Sequence, residues 1–282
     1  MGNVYWNNDL NQATNQDSSI SIHVLAIGDS WFHYAPCCLL THIRKQIGSR
    51  NIYALGANGA RADGMGAYLA EVQNSLKTYR TITVVAISAG GNDFAGTGDL
   101  DTKILNPNCR NANDIEDCYQ PEQPDKLFRE VIEHYKQLID AVIHTIQGTN
   151  RRIVVFLHNY DYPIPDGRFV QVILKKFGPW LKKPMETCKV NDQEAPLGGL
   201  RRQICFNLID KFTAEIEKLA DEYKGNPFVD VQVINSAGTL DDSALHWKED
   251  WDNELHPSVK GFKKIVKKCW AVPMRKALGL TV

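Results

Sequence analysis

Two hydrophobic periods alternate along this chain, and that alternation constrains its fold more than any other feature. Short β-branched runs recur at Ile20–Ile27, Asn51–Leu55, Ile82–Ser88, Arg152–His158 and Phe228–Ile234. Between them the apolar residues follow a helical repeat. Met65, Tyr68, Leu69, Val72, Leu76 and Tyr79 lie on one helix face, and Phe128, Val131, Ile132, Tyr135, Leu138, Ile139 and Val142 on another within Leu127–Ile146. The same period runs through Ile204–Tyr223 and Val259–Trp270, after which Pro273 is expected to interrupt the helix. Strand, helix and strand in succession imply a parallel sheet, because parallel neighbours need a crossover and helical crossovers cover the sheet's faces. The expectation is a flavodoxin-like α/β/α sandwich on five parallel strands, one domain over residues 20–282 behind a polar N-terminal arm of residues 1–19.

Two stretches break the alternation, at about residues 94–125 and 159–200. Segments that long without a clear period are uncommon in compact domains unless they serve a function. They are read as insertions over the carboxyl edge of the sheet, where folds of this class bind ligands.

Composition removes several function classes. Thirty-two Lys and Arg against 33 Asp and Glu leave a net charge of −1, so no global field draws the chain to nucleic acid. The start MGNVYWNNDL has no basic and apolar leader, and no apolar run is long enough to span a bilayer. No integral membrane association is expected, and residence is expected to be cytoplasmic, with export by a non-classical route as the alternative. Seven cysteines are too few for a disulfide scaffold. Cys109 and Cys118 bracket a polar segment that would gain from a cross-link, and a bridge there is left open. No cysteine and histidine set has zinc spacing, and neither GxxxxGK[ST] nor GxGxxG occurs. No metal or organic cofactor is expected.

The residues fit for chemistry gather at the predicted strand ends. The first strand ends in VLAIGDSWF, which puts Gly28, Asp29 and Ser30 at its carboxyl end, before a helix that Pro36 is suited to begin. The second is followed by LGANGARADGM and the third by SAGGNDF. A single Gly and Asn cluster is ordinary turn chemistry, but three of them converge on one edge of a parallel sheet. His256, in WDNELHPS before the last helix, reaches the same edge. The other seven histidines are read as surface residues.

In these motifs the chain resembles the SGNH, or GDSL-type, hydrolase superfamily over roughly residues 20–275. Gly28–Ser30 is similar to its first block, the Gly59 region to its second, Gly90–Asp93 to its third and Leu255–Ser258 to the end of its last. The resemblance implies a serine esterase or acyl hydrolase working through an acyl-enzyme on a small-molecule, lipid or glycan ester. Ser30 would be the nucleophile and His256 the general base and acid. A serine hydroxyl attacks carbonyls poorly until an imidazole takes its proton, and the resulting oxyanion needs preorganised donors. By resemblance those donors are the Ser30 and Gly59 backbone N–H groups and the Asn92 side chain. Gly56 and Gly64 compete with Gly59, whose offset from the second strand suits the block best.

The chain departs from the family pattern three residues before the histidine, where Asn253 stands in place of an acid, between Asp252 and Glu254. An acid-to-amide exchange in a serine protease triad costs about 10⁴ in kcat. Asn253, Asp252 or a backbone carbonyl remain open as the group that orients the imidazole. Asp29 and Asp93 are read as turn caps that accept backbone N–H groups. Trp31, Phe32, Tyr34, Tyr160, Tyr162 and Trp180 are candidates for a pocket wall, with core packing as the alternative for each. Two other classes stay open: a catalytically weak or inactive binding module for an acylated ligand, with the missing acid as its mark, and, against the absent phosphate loops, a phosphate or nucleotide binder.

Overall fold

The computed structural model describes residues 1–7, 9–95, 99–111, 114–172, 175–191 and 196–281. Parts of both expected insertions, residues 96–98, 112–113, 173–174 and 192–195, lie outside the described residues. The strands are β1 (Val4–Trp6), β2 (Val24–Gly28), β3 (Ile52–Gly56), β4 (Val84–Ser88), β5 (Ile153–His158), β6 (Val170–Val172), β7 (Lys175–Phe177) and β8 (Val229–Ile234). Six form a parallel sheet in the order β1-β3-β2-β4-β5-β8, and β6 and β7 make a separate antiparallel hairpin.

The sheet corrects the expected five strands to six. The added strand is β1, which pairs Val4, Tyr5 and Trp6 with Ile52, Tyr53 and Ala54. It is followed by a helix at Asp9–Gln16 whose Leu10 is buried. A three-residue edge strand buries one face at most, so it carries no β-branched run that a periodicity reading would find. The central strands do carry one. Every residue of β2, β3 and β4 is buried, as expected for parallel strands covered on both faces.

Helices form two layers. Leu69–Thr78 packs on Asp125–Ile146, which packs on Gly199–Glu222, while Leu39–Gln46 packs on Val259–Ile265 and Ala271–Ala277. The expected stop at Pro273 is not found. The chain passes through a π-helical turn at Val266–Trp270 and resumes as Ala271–Ala277 with Pro273 in the first turn, where a missing N–H costs little.

From β2 the chain moves to β3 on one side and then to β4 on the other. The carboxyl ends of β2 and β4 therefore flank the point where strand order reverses, the place where open α/β sheets bind ligands. The second irregular stretch lies over this edge with its β6–β7 hairpin. The first is tied to it by Cys109 N, which donates to Cys188 O at 3.0 Å. Cys109 and Cys118 are joined as a disulfide.

Candidate active site

Ser30 opens a one-turn helix, Ser30–His33, directly after β2. Asp29 caps that turn: its carboxylate accepts from Trp31 N at 2.9 Å and from the Tyr160 hydroxyl at 2.7 Å. Burial pushes the Asp29 carboxyl up to about 7, against the pull of those two donors. Pro36 does not begin the helix, as the sequence suggested. It lies in the connection, and the next helix starts at Leu39. With Asp29 spent on the cap, the Ser30 side chain is aimed across the sheet edge.

His256 arrives on a loop closed by the bridge between Trp251 and Pro257 and by Asp252 N donating to His256 O at 2.9 Å. Ser258 then caps the following helix through Gly261 N. His256 Nε2 lies 2.7 Å from Ser30 Oγ, and His256 Nδ1 lies 2.9 Å from Asn253 Oδ1. Of the three candidates for orienting the ring, it is Asn253 that faces it. The same Oδ1 accepts from Leu255 N at 3.0 Å and His256 N at 3.1 Å, which only an amide oxygen can do, so the amide is fixed with its oxygen toward the ring. Nδ1 must then carry the imidazole hydrogen, and Nε2 presents a lone pair to the serine hydroxyl. Burial pushes the His256 imidazole down to about 3 despite the opposing charge of Asp252, which keeps the resting ring in its neutral form.

Gly59 and Asn92 reach the same place from β3 and β4. Gly59 has φ +77°, a left-handed conformation natural to glycine, and lies on the cavity wall with Ser30. The rival amides are occupied: Gly56 N donates to Asn7 Oδ1 at 3.2 Å and Gly64 N to Arg61 O at 3.2 Å. Asn92 follows Gly90, whose φ of +100° turns the chain where a Cβ would lie 3.0 Å from Val131. Asn92 Nδ2 donates one hydrogen to Ala60 O at 3.0 Å, which orients the amide. Asp93 accepts from Ala62 N at 2.9 Å, so both neighbouring aspartates cap backbone as expected. Ser30, Gly59, Asn92 and His256 line one cavity of about 490 Å³, with Val170, Phe177 and Trp180 among its other walls.

Of the six aromatic candidates, Tyr34 and Trp180 line this cavity. Trp31, Phe32 and Tyr160 are buried in the core, and Tyr162 bonds Asp210. The reading of the remaining histidines as surface residues is corrected for His158 and His42, both buried. His158 fills the space between Ser88 Oγ at 3.0 Å and Ser236 Oγ at 2.9 Å, and His42 lies 2.9 Å from Cys37 Sγ.

Two residues that organise the site were not singled out from sequence. Glu254 is fully buried, and its carboxylate accepts from Gly167 N at 2.9 Å, Trp180 N at 2.5 Å, Leu181 N at 2.9 Å and Lys182 N at 3.0 Å. It fastens the Trp180 wall to the loop that carries His256. Burial raises its carboxyl above the usual range while the four N–H groups hold it down. Arg168 makes a second fastening, donating to Trp251 O at 2.8 Å and Asp252 O at 3.0 Å. Nothing in the run DNELH marks Glu254 as different from a solvated charge; its partners are more than seventy residues away.

A serine and a neutral imidazole in contact at the carboxyl edge of a parallel α/β/α sheet, on the wall of a cavity, define the class of serine hydrolases with a flavodoxin-like core. Residues 26–264 match the model of the GDSL-like lipase/acylhydrolase family. The chain belongs to that family and is a serine hydrolase acting on esters. No curated protein matches it in sequence. Among solved structures, it is similar to the lipase Lip_vut3 from a goat rumen metagenome, 14% identical with 91% of this chain and 97% of that one covered, at a TM-score of 0.54. It is also similar to a Bacteroides fragilis NCTC 9343 protein named acylhydrolase by assignment only, 13% identical with 95% and 97% covered, at 0.52. At such identities the likeness speaks for the fold. Among the described residues no helix is long and apolar enough to cross a membrane.

Proposed function

We propose that the protein cleaves small carboxylic esters through an acyl-enzyme on Ser30, with His256 as general base and then general acid. The observation that carries this reading is the 2.7 Å contact between Ser30 Oγ and His256 Nε2 on the wall of the 490 Å³ cavity. His256 Nε2 takes the serine proton as Oγ attacks the carbonyl carbon. The oxyanion that forms is held by Ser30 N–H, Gly59 N–H and Asn92 Nδ2, donors set in place before the charge appears. Collapse of the tetrahedral species expels the alcohol, to which His256 returns the proton. Water, deprotonated by His256, then attacks the acyl-enzyme, and the acid leaves as Oγ is reprotonated.

Val170, Phe177 and Trp180 offer the acyl group an apolar wall. Ser30→Ala is expected to abolish hydrolysis of a short p-nitrophenyl ester and labelling by a fluorophosphonate. Retained turnover in that variant would end the proposal.

A further inference from the structure

The departure at residue 253 poses a physical question. An imidazolium forming at His256 needs negative potential at Nδ1, and an amide oxygen brings a dipole in place of a full charge. The fixed amide answers half of it, since Oδ1 and not Nδ2 faces the ring. The other half lies behind the amide.

Asn253 Nδ2 donates to the Tyr34 hydroxyl at 3.0 Å and lies 3.3 Å from Asp252 Oδ2. The Tyr34 hydroxyl in turn donates to Asp252 Oδ2 at 2.6 Å. Tyr34 is further tied to the site because its ring lies parallel to the His256 ring, 3° apart in plane and 4.1 Å between centroids. We infer that Asp252 and Tyr34 are positioning residues that supply, through the Asn253 amide, the negative charge the triad lacks at residue 253. This inference rests on the Ser30 and His256 chemistry proposed above.

The action is polarisation, with no proton transferred and no bond made or broken. A carboxylate beside Nδ2 draws the amide's N–H hydrogens and pushes electron density toward Oδ1, the atom that accepts from His256 Nδ1. Chains of hydrogen bonds reinforce one another in this way when shielded from water. Asn253 is fully buried, so the amide responds in a dry environment although Asp252 itself is exposed. Tyr34 holds the carboxylate at that distance and lays its π face on the ring, where a cation gains from it. The arrangement also lets an amide serve where it fails in other triads: an amide free to turn offers Nδ2 to the imidazole and selects the wrong tautomer, whereas this one is fixed with Oδ1 toward Nδ1.

The test is a cycle of substitutions read by kcat and KM on p-nitrophenyl acetate. Tyr34→Phe keeps the ring and removes the hydroxyl; Asp252→Asn keeps the shape and removes the charge. Each is expected to lower kcat about tenfold, the scale of one hydrogen bond to a charged group, with KM within about twofold. Because both act through one amide, the double variant should lose little more than the worse single one. Placing the charge directly, by Asn253→Asp, should rescue: in that background the same substitutions are expected to cost threefold or less.

Unchanged kcat in both single variants, additive losses, or equal losses with Asn253→Asp would each overturn the inference. Should Asn253→Asp fail to fold by circular dichroism, additivity of the other two decides. Fluorophosphonate labelling of the unaltered enzyme keeps the two readings apart. Its absence defeats the Ser30 chemistry, while labelling together with flat kcat in the variants defeats only the role given to Asp252 and Tyr34.

Discussion

His158 and His256 occupy two regions of this molecule that look alike in chemistry and differ in use. Both imidazoles are buried, and in both burial pushes the ring down to about 3. Each has a serine hydroxyl on a ring nitrogen, Ser88 at 3.0 Å for His158 and Ser30 at 2.7 Å for His256. His158 ends β5 and is held between two hydroxyls, either of which can donate or accept, so its tautomer is not dictated by its partners. His256 is held by an amide oxygen that dictates the tautomer, and its serine opens on a cavity where Gly59 and Asn92 wait. A serine beside a histidine is therefore not yet a site. What separates the two pairs is a fixed proton, a place for substrate, and donors aimed at where charge will form.

The sharpest way to break that comparison is to exchange losses between the pairs. His256→Ala is expected to lower kcat/KM about 10⁴-fold or more, the scale seen when a member of a serine triad is removed. Ser88→Ala, which strips the other pair, is expected to leave turnover within about threefold. Steady-state hydrolysis of p-nitrophenyl acetate by both variants, with circular dichroism to confirm folding, makes the measurement. Comparable losses in the two would mean that access does not distinguish the regions as argued.

How far the sequence reveals this contrast depends on the reach of each interaction. β2 and β4 are legible because buried parallel strands must be apolar throughout, and the motifs GDS and GGND sit at their ends by local connection alone. That placement puts Ser30 and Asn92 at one edge, and His256 is legible from its position before the last helix, while the roles of all three come from the family resemblance. The state of the Asn253 amide does not, because its oxygen is fixed by neighbours in its own loop while its nitrogen meets Tyr34, 219 residues away. Tyr34 is visible in the sequence only as an aromatic near the nucleophile. Glu254 is hidden for the same reason: its burial depends on four N–H groups of a segment with no period of its own. β1 is missed because three residues at a sheet edge make no pattern, and His158 because a polar residue at the end of an apolar run reads equally as a strand boundary.

The comparison sharpens on acidification. The sequence alone places the fall of kcat/KM near pH 6.5, the ordinary imidazole value. Burial moves the expectation. The working form of His256 is neutral, a lowered folded pKa extends that form to lower pH, and so activity should persist as pH drops through 6.5 and fail only well below it. Asp29, raised to about 7, titrates inside the window but bonds Trp31 and Tyr160, not the His256 ring, and an Asp29→Asn control separates its effect. A profile of kcat/KM from pH 8 to pH 4 with its acid limb at 6.5, unmoved in that control, would show His256 to be more open to water than its surroundings imply.

The smallest expected effect is on stability, and it runs opposite to the effect on rate. In Ser88→Ala the Nδ1 of a fully buried His158 loses its partner away from solvent, and an unsatisfied buried polar atom costs about 1 to 3 kcal/mol. In Ser30→Ala the imidazole loses a partner too, but His256 lines a cavity large enough for water, which can accept or donate in the hydroxyl's place. Urea unfolding should therefore find Ser88→Ala destabilised within that range and Ser30→Ala close to the parent. The variant that ends turnover is the one the fold tolerates, as expected where a side chain is held for reaction and its neighbours supply the packing. Equal destabilisation of the two would place Ser30 in the same dry environment as Ser88 and remove the distinction between the two histidine regions.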